Sequence, residues 1–143
     1  MRFMIIRKAD EQTEAGVMPS PELLDAMGRY NEELIKAGVM LDGMGLQPSA
    51  RGARAELTRT TKTVTDGPFA EAKELIAGFS LWEVDSLEHA IELVKGWPPE
   101  DGDVEIEIRQ VASAEDFGDA ATPQVREDAE KLRAITDSKA GLA

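Results

Sequence analysis

Thr65-Asp66-Gly67-Pro68-Phe69-Ala70-Glu71-Ala72-Lys73-Glu74 is the stretch with the densest chemistry: acidic, basic, turn-forming and aromatic residues crowd together between two strand-like runs. Asp66 has two readings. As a carboxylate against a pocket wall it is a candidate general base, or a ligand for a small molecule's hydroxyl group. As an aspartate before glycine it accepts backbone N–H bonds across the turn it opens, which is the commoner role. Phe69 reads as a plug in the core or as a stacking platform. Glu71, Lys73 and Glu74 read as a charged rim over a pocket or as surface ion pairs worth roughly 0 to 1 kcal/mol. Arg109, on a polar strand face beside Glu107, is a candidate anion clamp; its structural alternative is a salt bridge to Asp66 or Glu107. Tyr30, Trp82 and Trp97 read as packing residues, and His89, the one histidine, as a surface residue.

The turn itself follows from residue type. Gly67 is able to take positive φ, while Pro68 fixes its own φ and pushes Gly67 out of the α region, so no helix runs through. Phe3 to Ile6, an apolar run bounded by charge, predicts a central strand buried on both faces. A polar loop over Asp10 to Met18 is followed by a helix that Ser20 caps and Pro21 opens, with Leu23, Met27, Tyr30 and Leu34 on one stripe, ending at Gly38. Glu32 and Lys36 are spaced as a favourable pair on its polar side.

Val39 to Leu46 predicts a second strand. Gly43 and Gly45 lie two apart on one of its faces, leaving room for a bulge, a ligand or another backbone. Gln47 to Arg54 is a loop that brings Arg51 and Arg54 to the turn if it folds back. Ala55 to Thr58 and Lys62 to Thr65 form a hairpin that delivers Asp66.

Leu75 to Val84 is the longest strand, apolar on both faces. A helix capped by Asp85, with Glu88 three positions on, buries Leu87, Ala90, Ile91 and Val94. Val104 to Val111 closes the sheet with one polar face, near an edge. The order β-α-β, hairpin, β-α-β predicts an α+β ferredoxin-like sandwich with an inserted hairpin. Two long helices cover only one sheet face, so a second copy of the chain is expected on the other. Residues 1–112 are read as one domain and 113–143 as a helical tail. Its last helix carries a thin stripe, Val125, Ala129, Leu132 and Ile135, suited to a peripheral arm or a partner-binding role.

Composition excludes several classes. The 143 residues, 42% hydrophobic, suffice for a single core. With 28 acidic against 16 basic side chains the net charge is -12, which repels a phosphate backbone, so nucleic acid is not expected as a partner. No cysteine is present, which removes thiolate chemistry and disulfides and fits a reducing cytoplasm. The N-terminal apolar run is too short for a signal peptide or a membrane span. Asp116-Phe117-Gly118 copies a kinase tripeptide without its companion loops. No phosphate loop, dinucleotide fingerprint or metal-ligand cluster occurs, so neither cofactor nor metal is implied.

Asp66-Gly67-Pro68-Phe69 and the following Ala70-Glu71-Ala72-Lys73-Glu74 resemble the signature of the YCII-related superfamily in its DGPF branch. The likeness extends to Gly45-Leu46, Lys73-Glu74-Leu75-Ile76, Asp85-Ser86-Leu87 and Ile106-Glu107-Ile108-Arg109. It implies a ferredoxin-like domain that dimerises sheet to sheet as a dimeric α/β barrel. The wider superfamily implies action on small aromatic or chlorinated ring compounds. The dense polar cluster from Asp66 to Glu74 beside an apolar strand gives the leading expectation: a pocket beside Asp66 that binds a small organic molecule and carries out a cofactor-free proton transfer or elimination. Members that look catalytic pair a histidine near the start of the first helix with an aspartate; here Pro21-Glu22-Leu23-Leu24 has no histidine. The tail resembles extensions described as associated with sigma factors. The contrasting reading is a non-catalytic regulatory or protein-interaction module whose C-terminal helix docks on another protein through the stripe Val125, Ala129, Leu132 and Ile135.

Overall fold

A computed structural model describes residues 1–139 of the chain. These residues cluster into two compact units, one ending at Gln110 and the other beginning at Val111. In the first, β1 (Arg2–Lys8), β2 (Met40–Gly45), β5 (Ile76–Glu83) and β6 (Ile106–Gln110) form an antiparallel sheet in the order β2-β5-β1-β6. Two helices, α2 (Pro21–Lys36) and α3 (Leu87–Val94), connect the β1–β2 and β5–β6 pairs. This is the ferredoxin-like arrangement, and the inserted hairpin β3 (Ala53–Leu57) and β4 (Lys62–Asp66) stands as its own two-stranded sheet.

Alternation along the strands decides the layers. Phe3 pairs with Trp82 and Ile5 with Ser80, so these residues share one face. On that face Phe3, Ile5 and Trp82 pack with Leu34 of α2 and Ala90 of α3 into one core cluster. Burying such side chains supplies roughly 1.5–3 kcal/mol each. The opposite face carries Met4 and Ile6 against Leu81 and Phe79, with Glu107 and Arg109 beyond them on β6.

Helix α2 begins and ends where its sequence says. Ser20 Oγ accepts the Leu23 N–H at 3.0 Å, Pro21 takes the first turn, and Gly38 adopts φ 74° just past the end. Glu32 and Lys36 pair at 2.9 Å.

Two expectations are corrected. The 10–18 loop contains a short helix, α1 (Glu11–Glu14), in which Asp10 Oδ1 accepts the Thr13 N–H and Thr13 Oγ1 accepts the Asp10 N–H. One turn without an apolar stripe leaves no periodicity to read, so only its cap could have disclosed it. The cap of α3 is Ser86, whose Oγ accepts the His89 N–H at 3.1 Å, and not Asp85. The buried side of α3 is correspondingly Ala90, with Leu93 and Val94 partly buried against the core, while Leu87 and Ile91 are exposed.

The second unit holds a 3₁₀ segment, Ala114–Ala120, and helix α4 (Pro123–Lys139). Thr122 Oγ1 accepts the Val125 N–H at 3.3 Å, as a cap should. None of the described α4 residues is buried, and Val125, Leu132 and Ile135 are all exposed. Residues 140–143, the end of the expected tail, lie outside the described residues.

Candidate functional site

An open cavity of about 900 Å³ lies between α2 and the helix-covered face of the sheet. Its floor exists because side chains are missing. Gly45 pairs with Gly78 and Gly43 with Ser80, so two adjacent strands present small residues over the same area. A Cβ built on Gly45 meets no heavy atom within 4 Å, whereas one on Gly78 lies 3.0 Å from the Met44 carbonyl oxygen. Of the three uses that the Gly43/Gly45 spacing leaves open in the sequence, the strand shows a register shift between Met40 and Asp42 and a close backbone approach of Gly45 to Gly78, beside the cavity. Leu23, Met27 and Tyr30 of α2 form the opposite wall.

The polar end of the cavity is built on Arg7. Alternation puts Arg7 on the same face as Phe3 and Ile5, and its partner across the ladder is Gly78, which leaves space for a guanidinium. Arg7 Nε and Nη2 donate to the two carboxylate oxygens of Asp101 at 3.1 and 2.8 Å, and Nη1 donates to Asp10 Oδ2 at 3.2 Å and to the Lys8 carbonyl at 3.0 Å. Trp97 Nε1 donates to Asp101 Oδ2 at 2.9 Å. The side chains of Arg7 and Asp101 are only 13% and 10% exposed, so this is a bidentate pair largely withdrawn from water.

The Asp101 hydrogen bonds, opposed by burial, raise the Arg7 pKa further above its usual value. The Thr13 backbone N–H, with Arg7 assisting, holds the Asp10 carboxyl below the usual carboxylate range. One guanidinium thus faces two carboxylates. Asp10 retains an unused lone pair on each oxygen, so the cluster as a whole offers acceptors.

Two aromatic residues complete that end. Tyr30 and Trp97 meet edge to face at 5.8 Å, and the Tyr30 hydroxyl donates to the Leu93 carbonyl at 2.6 Å. Burial pushes the Tyr30 phenol up to about 12, so it remains a neutral donor. Trp82, 1% exposed, keeps a buried indole N–H with no partner among the described residues.

The signature turn lies apart from the lining. None of Asp66, Phe69, Glu71, Lys73 and Arg109 is among the residues that line the cavity. Asp66 ends β4 opposite Ala53, is exposed, and forms no side-chain hydrogen bond or ion pair among the described residues. The structural role given to its carboxylate in the sequence passes to Ser49. Ser49 Oγ accepts the Phe69 N–H at 3.0 Å, and the Gly67 N–H donates to the Gly52 carbonyl at 3.0 Å.

The Gly67-Pro68 bond is cis, and the left-handed residue of the stretch is Glu71 at φ 58°, not Gly67. Glycine is required at 67 for another reason: a Cβ there would collide with the Ser49 carbonyl oxygen. Phe69 is half-buried with the Arg54 guanidinium 4.1 Å from its ring centre, so Arg54, at the start of β3, reaches the turn, while Arg51 lines the cavity. Lys73 and Glu74 are exposed in a 3₁₀ turn. Arg109 lies 3.6 Å from Glu107 on the helix-free face, with 71% of its side chain exposed.

Arg7, Asp10 and Asp101 were the residues the sequence did not disclose. Arg7 ends an apolar run, which reads as a boundary, and Asp101 follows a Pro-Pro pair, which reads as a loop. Among the described residues no group of three or more His, Cys, Asp or Glu side chains is placed to hold a metal ion, and no helix is long and apolar enough to cross a membrane.

Comparison with known proteins adds a family. No curated protein matches the chain. Among solved structures it is similar to 5-chloro-2-hydroxyhydroquinone dehydrochlorinase from Burkholderia phenoliruptrix AC1100, in complex with 2,5-dihydroxybenzoquinone. The identity is 15%, over 80% of this chain and 98% of that one, with a TM-score of 0.40. The YCII-related domain model matches residues 1–115, which include the whole sheet, the cavity and the signature turn, and the chain therefore belongs to the YCII-related family.

Proposed function

We propose that the protein binds a small, hydroxyl-bearing organic molecule in the cavity between α2 and the sheet, and that the chemistry open to it there is a cofactor-free proton transfer or elimination. The observation that carries this reading is the glycine floor beside the Arg7–Asp10–Asp101 cluster: room for a flat apolar body next to carboxylate acceptors. A carboxylate held ionised is a weak base, so Asp10 accepts a hydrogen bond from the ligand hydroxyl and orients it, while the proton released in the reaction passes to solvent at the open mouth of the cavity and the electron pair stays on the ligand.

The test uses hydroquinone and its dimethyl ether, two rings of similar shape of which only the first has donors. Ligand-observed NMR should show hydroquinone binding more tightly. Gly45→Leu, whose Cβ meets no heavy atom within 4 Å and whose branch projects into the floor, should weaken binding at least about tenfold. Equal binding of both rings, or binding indifferent to Gly45→Leu, would count against the site.

We further propose that two copies pair through the helix-free face bearing Met4, Ile6, Phe79 and Leu81. Sedimentation velocity should then give a species of about twice the 15.6 kDa chain mass, and a monomer at all concentrations would rule the pairing out.

A further inference from the structure

We propose that Ser49 is the positioning residue of the cavity rim, fastening together α1, the rim segment and the Gly67–Phe69 turn, so that the signature turn acts on the site mechanically. Pro48 and Arg51, on either side of Ser49, line the cavity, as do Thr13 and Gly16 on either side of Glu14. No backbone hydrogen bond joins these two wall segments among the described residues. The polar link is made by Ser49: its N–H donates to Glu14 Oε1 at 3.1 Å and its hydroxyl donates to Glu14 Oε2 at 2.5 Å.

The same hydroxyl oxygen accepts the Phe69 N–H at 3.0 Å, so a single side chain carries both connections. The turn is pressed against this point from outside. Gly67 approaches the Ser49 carbonyl too closely for any Cβ, and its N–H is fixed on Gly52. Phe69 is held in turn beneath Arg54, on the strand that follows the rim. The hairpin, whose residues are exposed on both faces, therefore has a use: its two ends supply the two sides of the clamp.

This assignment goes beyond the ligand proposal, because the order of the rim does not depend on what binds. Amide hydrogen exchange on the full chain tests it. Ser49→Ala should raise exchange of the Phe69 and Ser49 amides about tenfold, while the Ile5 and Trp82 amides in the sheet keep their protection. Ser49→Thr, which keeps the hydroxyl, should restore both. In parallel, Ser49→Ala should weaken hydroquinone binding severalfold at a temperature where the variant is still folded, and Ser49→Thr should not. Unchanged protection of the Phe69 amide, or a loss of protection spread evenly over the sheet, would overturn the assignment. So would a loosened rim with hydroquinone affinity intact. If hydroquinone fails to bind even the parent protein, the ligand proposal falls, and the exchange data still decide the role of Ser49.

Discussion

Asp101→Ala should destabilise the first unit by about 3 kcal/mol, the cost of stranding a largely buried guanidinium. Two charge-assisted bonds disappear at once, at 2.8 and 3.1 Å, and the Trp97 indole N–H loses its acceptor. Arg7 keeps Asp10 and the Lys8 carbonyl, which sets the figure at the lower end of the range for a broken buried pair. Asp101→Asn retains an acceptor for Trp97 and the shape of the side chain, and should cost about half as much. Urea unfolding of the two variants measures both numbers. A loss below about 1 kcal/mol for Asp101→Ala would show that water replaces the carboxylate and that the pair does not hold the polar end of the cavity.

Gly67→Ala is expected to cost about 2 kcal/mol, for a reason unrelated to φ. The added carbon would land on the Ser49 carbonyl oxygen, 2.6 Å from its carbon and 3.2 Å from the Ala50 nitrogen, all backbone atoms that no rotamer change can move. Relief requires the turn to lift, which breaks the Gly67 N–H bond to Gly52 and the Phe69 N–H bond to Ser49. Gly52→Ala, three residues beyond Ser49, provides the comparison. Its Cβ would stand 3.6 Å from the same carbonyl, an ordinary contact, and its effect should stay within about 0.5 kcal/mol. Equal behaviour of the two variants in thermal unfolding would show that the close approach at Gly67 is relaxed at little cost.

Much of the fold was legible because it rests on local rules. The cap at Ser20, the stop at Gly38, the alternation of Leu75 to Val84 and the polar outer face of Val104 to Val111 each follow from a few neighbouring residues. Together they order the elements as a ferredoxin-like domain. The errors are local too. Asp85 and Ser86 are both competent caps, and only the helix phase set by Ala90 in the core selects Ser86. The place of the turn is legible in its residue types, but the need for glycine at 67 comes from a segment eighteen residues earlier and not from backbone conformation.

The sequence by itself determined the element order, the one-sided helical cover of the sheet and the place of the Asp66-Gly67-Pro68-Phe69 turn, since periodicity and turn chemistry are encoded within a few residues. The tertiary structure decided where a site can be. Gly45 becomes a cavity floor only when register sets it opposite Gly78, and Arg7 becomes the centre of a polar cluster only when Asp10 and Asp101 converge on it from two different loops. Spacing in the chain carries no record of such meetings. They are fixed by the Gly45–Gly78 strand pairing across 33 residues and the Arg7–Asp101 ion pair across 94, and they move the candidate site from the signature turn to the space that the turn braces.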